Sequence, residues 1–238
     1  MALKNNQLQK LEHKSLRNTI VEAIRDAIVG GFYRGGEKIQ EQALVEQLGV
    51  SRTPIREALS MLEQQGLLET RHQNGFYVTK VDWAEVKDSL NVRMVLEEFA
   101  IRQAIQKLTV SEWDDLMRQL HKLFEGILEA IKANSPADAN KCDIEIHTSI
   151  ITAAHNTYLS RIWSTTSLHY LVWSPERETY PFTDEKWTVF IERHRVLLAD
   201  LVGHDPDVSA AAIRNHITGK LNDLGSLTNQ TILEGPTR

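Results

Sequence analysis

EQALVEQLGVSRTPIREALSMLEQQG, residues 41–66, decides the fold. The stretch reads as two short helices joined by a tight turn. Leu44 and Leu48 share one face of the first helix, and Gly49 lets the backbone turn sharply. Ser51 and Thr53 can cap the second helix, and Pro54 fits its first turn. Ile55, Ala58, Leu59 and Leu62 recur at helical spacing and must face a core. Arg52, Thr53 and Arg56 lie at the helix start or off that face, free to touch something outside. This is the layout of a helix-turn-helix, whose second helix puts its N-terminal residues into the major groove of DNA.

After Gly66 come Leu67-Leu68-Glu69-Thr70-Arg71, then His72-Gln73-Asn74-Gly75, then Phe76-Tyr77-Val78-Thr79. Two β-prone runs around an Asn-Gly turn predict a hairpin. Upstream, Ser15 is placed to cap a helix running to about Val29, with Leu16, Ile20, Ala23, Ile24 and Ala27 on its apolar stripe. Helix, helix-turn-helix and hairpin together predict a winged helix. The same elements can also build a small α+β core, but the placement of arginines and caps has no packing purpose there.

Beyond Val81-Asp82 the strand signal disappears. Helical periodicity runs from Asp82 to about Lys107. Ser111 opens a Ser-x-x-Asp capping box for a helix to about Lys132, and Asn134-Ser135-Pro136 breaks it. Further helices are expected at about Ala137–Ala154, Thr157–Trp173, Thr183–Gly203 and Pro206–Leu227. Short loops between them predict an antiparallel bundle. The expected fold is therefore mainly α. A winged helix-turn-helix of three helices plus a β-hairpin, residues 1–80, precedes an all-α bundle, residues 81–238.

The chain has 238 residues and 42% apolar side chains, enough for a real core. One cysteine, Cys142, rules out an intrachain disulfide and fits a reducing compartment. The start, MALKNNQLQK, has no apolar secretion-signal core, and no stretch approaches a membrane span. A cytoplasmic location is expected. The net charge of −5 hides an asymmetry: residues 1–80 hold 11 Lys/Arg against 9 Asp/Glu, and the remainder 16 against 23. So small a basic excess predicts modest non-specific DNA affinity, with a second copy of the chain supplying the other half-site.

The bundle carries a second constellation. Asp143 and His147, four apart in DIEIH, face one side of a helix. His194 lies mid-helix in FIERHRVLLADL, and His216 mid-helix in AAAIRNHITGKL. One carboxylate and three imidazoles from three helices suit a divalent transition metal with room for water. Spacing alone leaves two other readings open, a solvated helix face for the pair and satisfied core positions for the later histidines.

Residues 16–78, with GGEKIQEQALVEQLGVSRTPIREALSMLEQQGLLETRHQNGFYV at their centre, resemble the DNA-binding domain of the GntR family of bacterial transcription regulators. The rest resembles the FCD effector domain of that family's FadR-like branch. The resemblance implies a homodimeric, effector-responsive regulator, a repressor rather than an activator, on double-stranded DNA with a near-palindromic operator. It implies DNA contacts from Ser51, Arg52, Thr53 and Arg56, and from the wing residues His72, Gln73 and Asn74. The family often has a basic residue where Gln73-Asn74 stand, so this chain departs from the pattern there. The resemblance also implies metal ligation by Asp143, His147, His194 and His216, with zinc first and nickel or manganese as alternatives. A small carboxylate effector would lie beside the metal, and Arg93 matches the arginine that often holds it. An ordinary ion pair of Arg93 with Glu97, four residues on, is the competing reading.

Two other classes compete. A metal-dependent hydrolase would need a general base near the metal, and no carboxylate has spacing that marks one. A purely structural metal would leave DNA affinity indifferent to small acids.

Overall fold

The computed structural model describes residues 13–29, 32–71, 75–80, 83–165 and 184–233. Helix α1 spans His13–Val29, α2 Glu41–Leu48 and α3 Arg52–Gln64, followed by strands β1 Leu68–Thr70 and β2 Phe76–Val78. Helices α4 Trp83–Lys107, α5 Val110–Lys132, α6 Pro136–Ala153, α7 Thr157–Thr165, α8 Asp184–Leu201 and α9 Pro206–Leu233 follow.

The helix-turn-helix forms as the sequence dictates. Gly49 ends α2 in the left-handed conformation at φ 65°, its N–H returned to the Val45 carbonyl. Ile55, Ala58, Leu59 and Leu62 are buried on one stripe of α3, against Ile20, Val21, Ile24, Ile28 and Leu44. The α1 stripe differs from expectation. Leu16 and Ala23 are exposed, and Val21 and Ile28 take the inward places. Leu48 is also exposed, so α2 is anchored by buried Leu44 with partly buried Val45 packed against the same core. Ser51 stands at the N-cap of α3 with extended backbone but makes no capping hydrogen bond, and Thr53 is the second residue of the helix. Both residues are exposed.

Strands β1 and β2 pair antiparallel, Leu68 opposite Val78 and Thr70 opposite Phe76. The sequence reading missed a third edge. Ile39 N–H donates to the Phe76 carbonyl and Val78 N–H to the Glu37 carbonyl, so residues 36–39 extend the hairpin.

In the bundle, α5 packs along α6, α4 along α9 and α6, and α8 along α9 and α5. A continuous apolar core from Val86 through Leu120, Ile146, Leu198 and Ile217 fills the space between them. The α5 cap is Thr109 with Glu112, a reciprocal box set two residues before the expected Ser111. Glu112, three residues after Thr109, returns its side chain to the Thr109 N–H and completes the box there. The expected extension of α7 to Trp173 lies partly outside the described residues. Cys142 is half-buried rather than fully in the core, with its Sγ tight against Gly126.

Candidate metal and effector centre

Asp143 and His147 project from α6, His194 from α8 and His216 from α9. Their ligating atoms all lie within 4.8 Å of one another, and all four side chains are buried. Bound to one ion at about 2.0–2.2 Å, opposed donors stand about 4.4 Å apart, so small side-chain movements close the set.

Hydrogen bonds on the outer ring atoms fix which nitrogens face inward. His194 Nδ1 is 2.8 Å from the Phe190 carbonyl. A carbonyl only accepts, so Nδ1 carries the proton, and the neutral ring turns the Nε2 lone pair toward Asp143 Oδ1, 2.8 Å away. Two acceptors then face each other at contact distance, an arrangement a bound cation resolves. His147 is set the same way. Its Nδ1 is 2.5 Å from Glu97 Oε2, and its Nε2 has no hydrogen-bond partner among the described residues. Both ring nitrogens of His216 are likewise unpartnered. Orphaned imidazole nitrogens in a fully buried cluster fit a metal site, and the outer carboxylate and carbonyl are the partners metal-ligating histidines usually have.

The electrostatics agree. Burial pushes His194 and His216 below the usual imidazole range, and for His216 the neighbouring histidines and Lys220 push further, so both are neutral and able to ligate. Burial by itself would raise Asp143. The Lys220 ammonium, with the His147 and His194 rings beside it, outweighs burial and holds the carboxyl well below its ordinary range. Glu97 behaves alike: burial raises it, and His147 and Arg93 bring it down to about 2.

Three residues around the cluster were not marked as site residues by sequence reading. Glu97 links Arg93 to His147. Lys220, one turn after His216 on α9, meets both oxygens of Asp143 at 2.9 and 3.1 Å. Asn140, one turn before Asp143, is buried with both amide atoms unpartnered among the described residues. Only the Glu97 and Lys220 positions carry a sequence signal, their i,i+4 spacing from Arg93 and His216.

Arg93 is fully buried, and its Nε bonds Glu97 Oε1 at 2.6 Å. The ion pair is thus present. Both outer nitrogens nevertheless lack hydrogen-bond partners among the described residues, and the guanidinium lies 5.8 Å from the Trp163 ring. Tyr170, Trp173 and the wing residues His72, Gln73 and Asn74 lie outside the described residues.

At the other end of the molecule Ser51, Arg52, Thr53 and Arg56 are exposed together at the start of α3. Arg52 donates to Gln42 at 2.9 Å, and Arg56 lies 3.6 Å from Glu41, so both arginines are tied to side chains of α2. Arg71 and Lys38 flank the Tyr77 ring at 4.9 and 5.8 Å. They stand beside the wing, outside the Gln73-Asn74 positions, and Arg71 also pairs with Glu69.

Comparison with known proteins decides the family. Residues 16–78 match the family described as bacterial regulatory proteins, gntR family, and residues 88–219 match the FCD domain. The chain belongs to the GntR family of bacterial transcription regulators, in its FCD-bearing form. A gluconate operon transcriptional repressor of Bacillus licheniformis is 23% identical over 217 residues, 89% of this chain and 87% of that protein. A probable D-xylose utilization operon transcriptional repressor of Paenarthrobacter nicotinovorans is 26% identical over 210 residues, 86% of this chain and 88% of that protein. An HTH-type regulator of Bacillus subtilis, YdhC, is 30% identical over 139 residues, and the match spans only 58% of this chain and 61% of that protein. The fold is shared with Escherichia coli McbR/YncC, at a TM-score of 0.76 and 20% identity over 90% of this chain and 98% of that one. This GntR-family protein is thus a DNA-binding transcription regulator and not an enzyme. No helix among its described residues is long and apolar enough to cross a membrane.

Proposed function

We propose that the protein is a metabolite-responsive repressor of the FadR-like branch, acting in the cytoplasm as a homodimer on a near-palindromic operator. Its two units are a winged helix, residues 1–80, and a sensing and dimerising bundle, residues 81–238. Asp143, His147, His194 and His216 hold a divalent metal, zinc first and nickel or manganese as alternatives. The observation that carries this reading is the buried cluster whose ring nitrogens lack partners and face a carboxylate. When bound, the metal supplies open coordination positions for a small carboxylate effector. Arg93 then offers its two outer nitrogens to that acid while Glu97 keeps its Nε. Relatives named for gluconate and D-xylose operons support a small metabolite as signal.

Arg52 and Arg56 take base edges or phosphates, and Ser51, Thr53 and the start of α3 take phosphates. His72, Gln73 and Asn74 take the backbone or minor groove. Helix α6 connects the two ends. Its buried side carries Asp143 and His147, while Ala137, Asp138, Lys141, Ile144 and Glu145 line a 250 Å³ cleft against Glu22, Arg25, Asp26 and Val29 of α1. Lys141 reaches Asp26 at 3.7 Å, and Gln65 at the end of α3 donates to the Ser164 carbonyl at 3.3 Å. A shift of α6 on effector binding therefore moves the seat of the winged helix. A coupling of about 1–3 kcal/mol is enough to switch occupancy.

Elemental analysis of the purified protein, with mass spectrometry of any co-purifying acid, tests the centre. One equivalent of zinc, nickel or manganese per chain is expected. A metal-free protein that also fails to take up metal on reconstitution sinks the site. His194→Ala separates sensing from scaffolding. Lost effector response with operator binding intact supports sensing, and global unfolding supports a structural metal.

A further inference from the structure

Lys220 is only 7% exposed, and its ammonium meets both oxygens of Asp143. It also lies 5.8 Å from the Phe190 ring, the residue whose carbonyl holds His194. A lysine this deep needs a strong reason, because burying an ammonium costs several kcal/mol unless it is paired. The pairing uses the one carboxylate of the candidate ligand set.

The buried charges around the centre cancel. Among the described residues the buried acids are Glu97 and Asp143, and the buried lysines and arginines are Lys220 and Arg93. They form two matched pairs, Arg93 with Glu97 and Lys220 with Asp143. The three imidazoles are neutral when they ligate a metal. Among the described residues the buried centre is therefore electrically balanced before any ion enters. A divalent cation adds two positive charges that no buried side chain among the described residues offsets, and uncompensated charge in a buried site is strongly disfavoured. Without Lys220, Asp143 would offset one of the two.

We propose that Lys220 makes metal uptake by this centre conditional on a dianionic ligand: its ammonium cancels the only carboxylate of the ligand set, so cation and small dianion bind together. This rests on the metal reading given above and narrows its effector class. An acid with two negative charges restores the balance. A monocarboxylate leaves one positive charge over, and an uncharged sugar leaves two. Arg93 supplies donors for the second carboxylate through its outer nitrogens. The coupling is reciprocal, so the acid binds tighter with metal by the same factor that the metal binds tighter with acid.

The test is zinc binding by the full-length, metal-stripped protein, measured by competition with a chromophoric chelator. It is run alone, with acetate, and with malonate, after correcting for zinc bound by malonate in solution. Wild-type affinity is expected to rise roughly tenfold or more with malonate and less with acetate, the scale on which groups behind a metal ligand act. Lys220→Met removes the charge at similar length. It is expected to bind zinc roughly tenfold tighter without any acid, with malonate losing its advantage over acetate. Lys220→Gln, which keeps a donor for Asp143, is the second variant if the methionine protein fails to fold by circular dichroism. Zinc affinity that is independent of malonate in the wild type, and unchanged or weaker in the variants, overturns the proposal. Lys220 is then a positioning residue for Asp143. Zinc that binds under no condition overturns the metal reading itself, whereas tight zinc without acid overturns only the role of Lys220.

Discussion

Glu97 on α4 reaches His147 Nδ1 on α6 at 2.5 Å, while its other oxygen accepts from Arg93 Nε at 2.6 Å. One carboxylate therefore holds the ring of a candidate metal ligand and the Nε of a candidate effector contact. The two functions of the centre share a single side chain. On the proposed function, an acid held by Arg93 lies two hydrogen bonds from His147.

Glu97→Gln is the sharpest probe of that link. The amide keeps the shape but leaves the buried Arg93 guanidinium without its counter-charge, a loss on the order of 3–5 kcal/mol. Metal affinity is expected to fall roughly 10–100-fold, as when the carboxylate behind a ligating histidine is removed. Urea unfolding and zinc competition read the two effects. Unchanged stability would mean that Arg93 finds another partner.

The pH dependence of that variant is also fixed. Glu97 in the folded protein lies at about 2, below its ordinary 4.5. As pH falls, the unfolded chain takes up this proton first, so the contribution is full above about 4.5 and drains toward 2. The shift corresponds to about 3 kcal/mol. The stability gap between wild type and Glu97→Gln is expected to narrow as pH drops through that window.

His216 gives the opposite chemical case with the same sign. Burial holds it well below 6.5 in the folded protein, with His194, His147 and Lys220 adding to the effect. Below pH 6.5 the unfolded chain protonates first, so the metal-free protein loses stability as pH falls from 7 toward 5. Replacing His216 by Phe should flatten that limb. Thermal melts of the metal-stripped protein at closely spaced pH values decide it.

The helix-turn-helix was legible because every signal there is local. Gly49, Pro54 and the Ile55–Leu62 stripe act within one or two turns. The Asp143–His147 spacing was legible for the same reason. Glu97, Lys220 and Asn140 were not, because their roles depend on α4, α6 and α9 packing together across 50 to 77 residues of sequence. The edge strand at residues 36–39 was hidden too. Its backbone bonds reach Phe76 and Val78, some forty residues on, and leave no mark on the side-chain pattern. The exposed Leu48 shows the limit of periodicity, which gives a face but not what covers it.

That contrast predicts unequal costs for like substitutions. Leu59 is 0% exposed at the centre of the winged-helix core, and Leu48 is 37% exposed at the end of α2. Leu59→Ala is expected to cost about 2–5 kcal/mol through lost burial and a cavity. Leu48→Ala should cost less than about 1 kcal/mol. Denaturant midpoints of the two variants measure the difference, and equal losses would contradict the packing described.

Arg52 is held toward solvent by Gln42 rather than by an acid. Its charge is therefore uncompensated by this contact, while Arg56 faces Glu41 and must give up that partner to reach DNA. Arg52→Ala should weaken operator binding by about 1–3 kcal/mol if the side chain reads a base. A phosphate contact would instead lower affinity evenly across sequences and reduce the salt slope by about one. Arg56→Ala should cost less than Arg52→Ala, because breaking the Glu41 contact offsets part of what the arginine gains. Fluorescence anisotropy with an operator and a scrambled duplex, at several salt concentrations, separates these outcomes. A larger loss for Arg56 than for Arg52 would show that Glu41 orients Arg56 for DNA instead of competing with it.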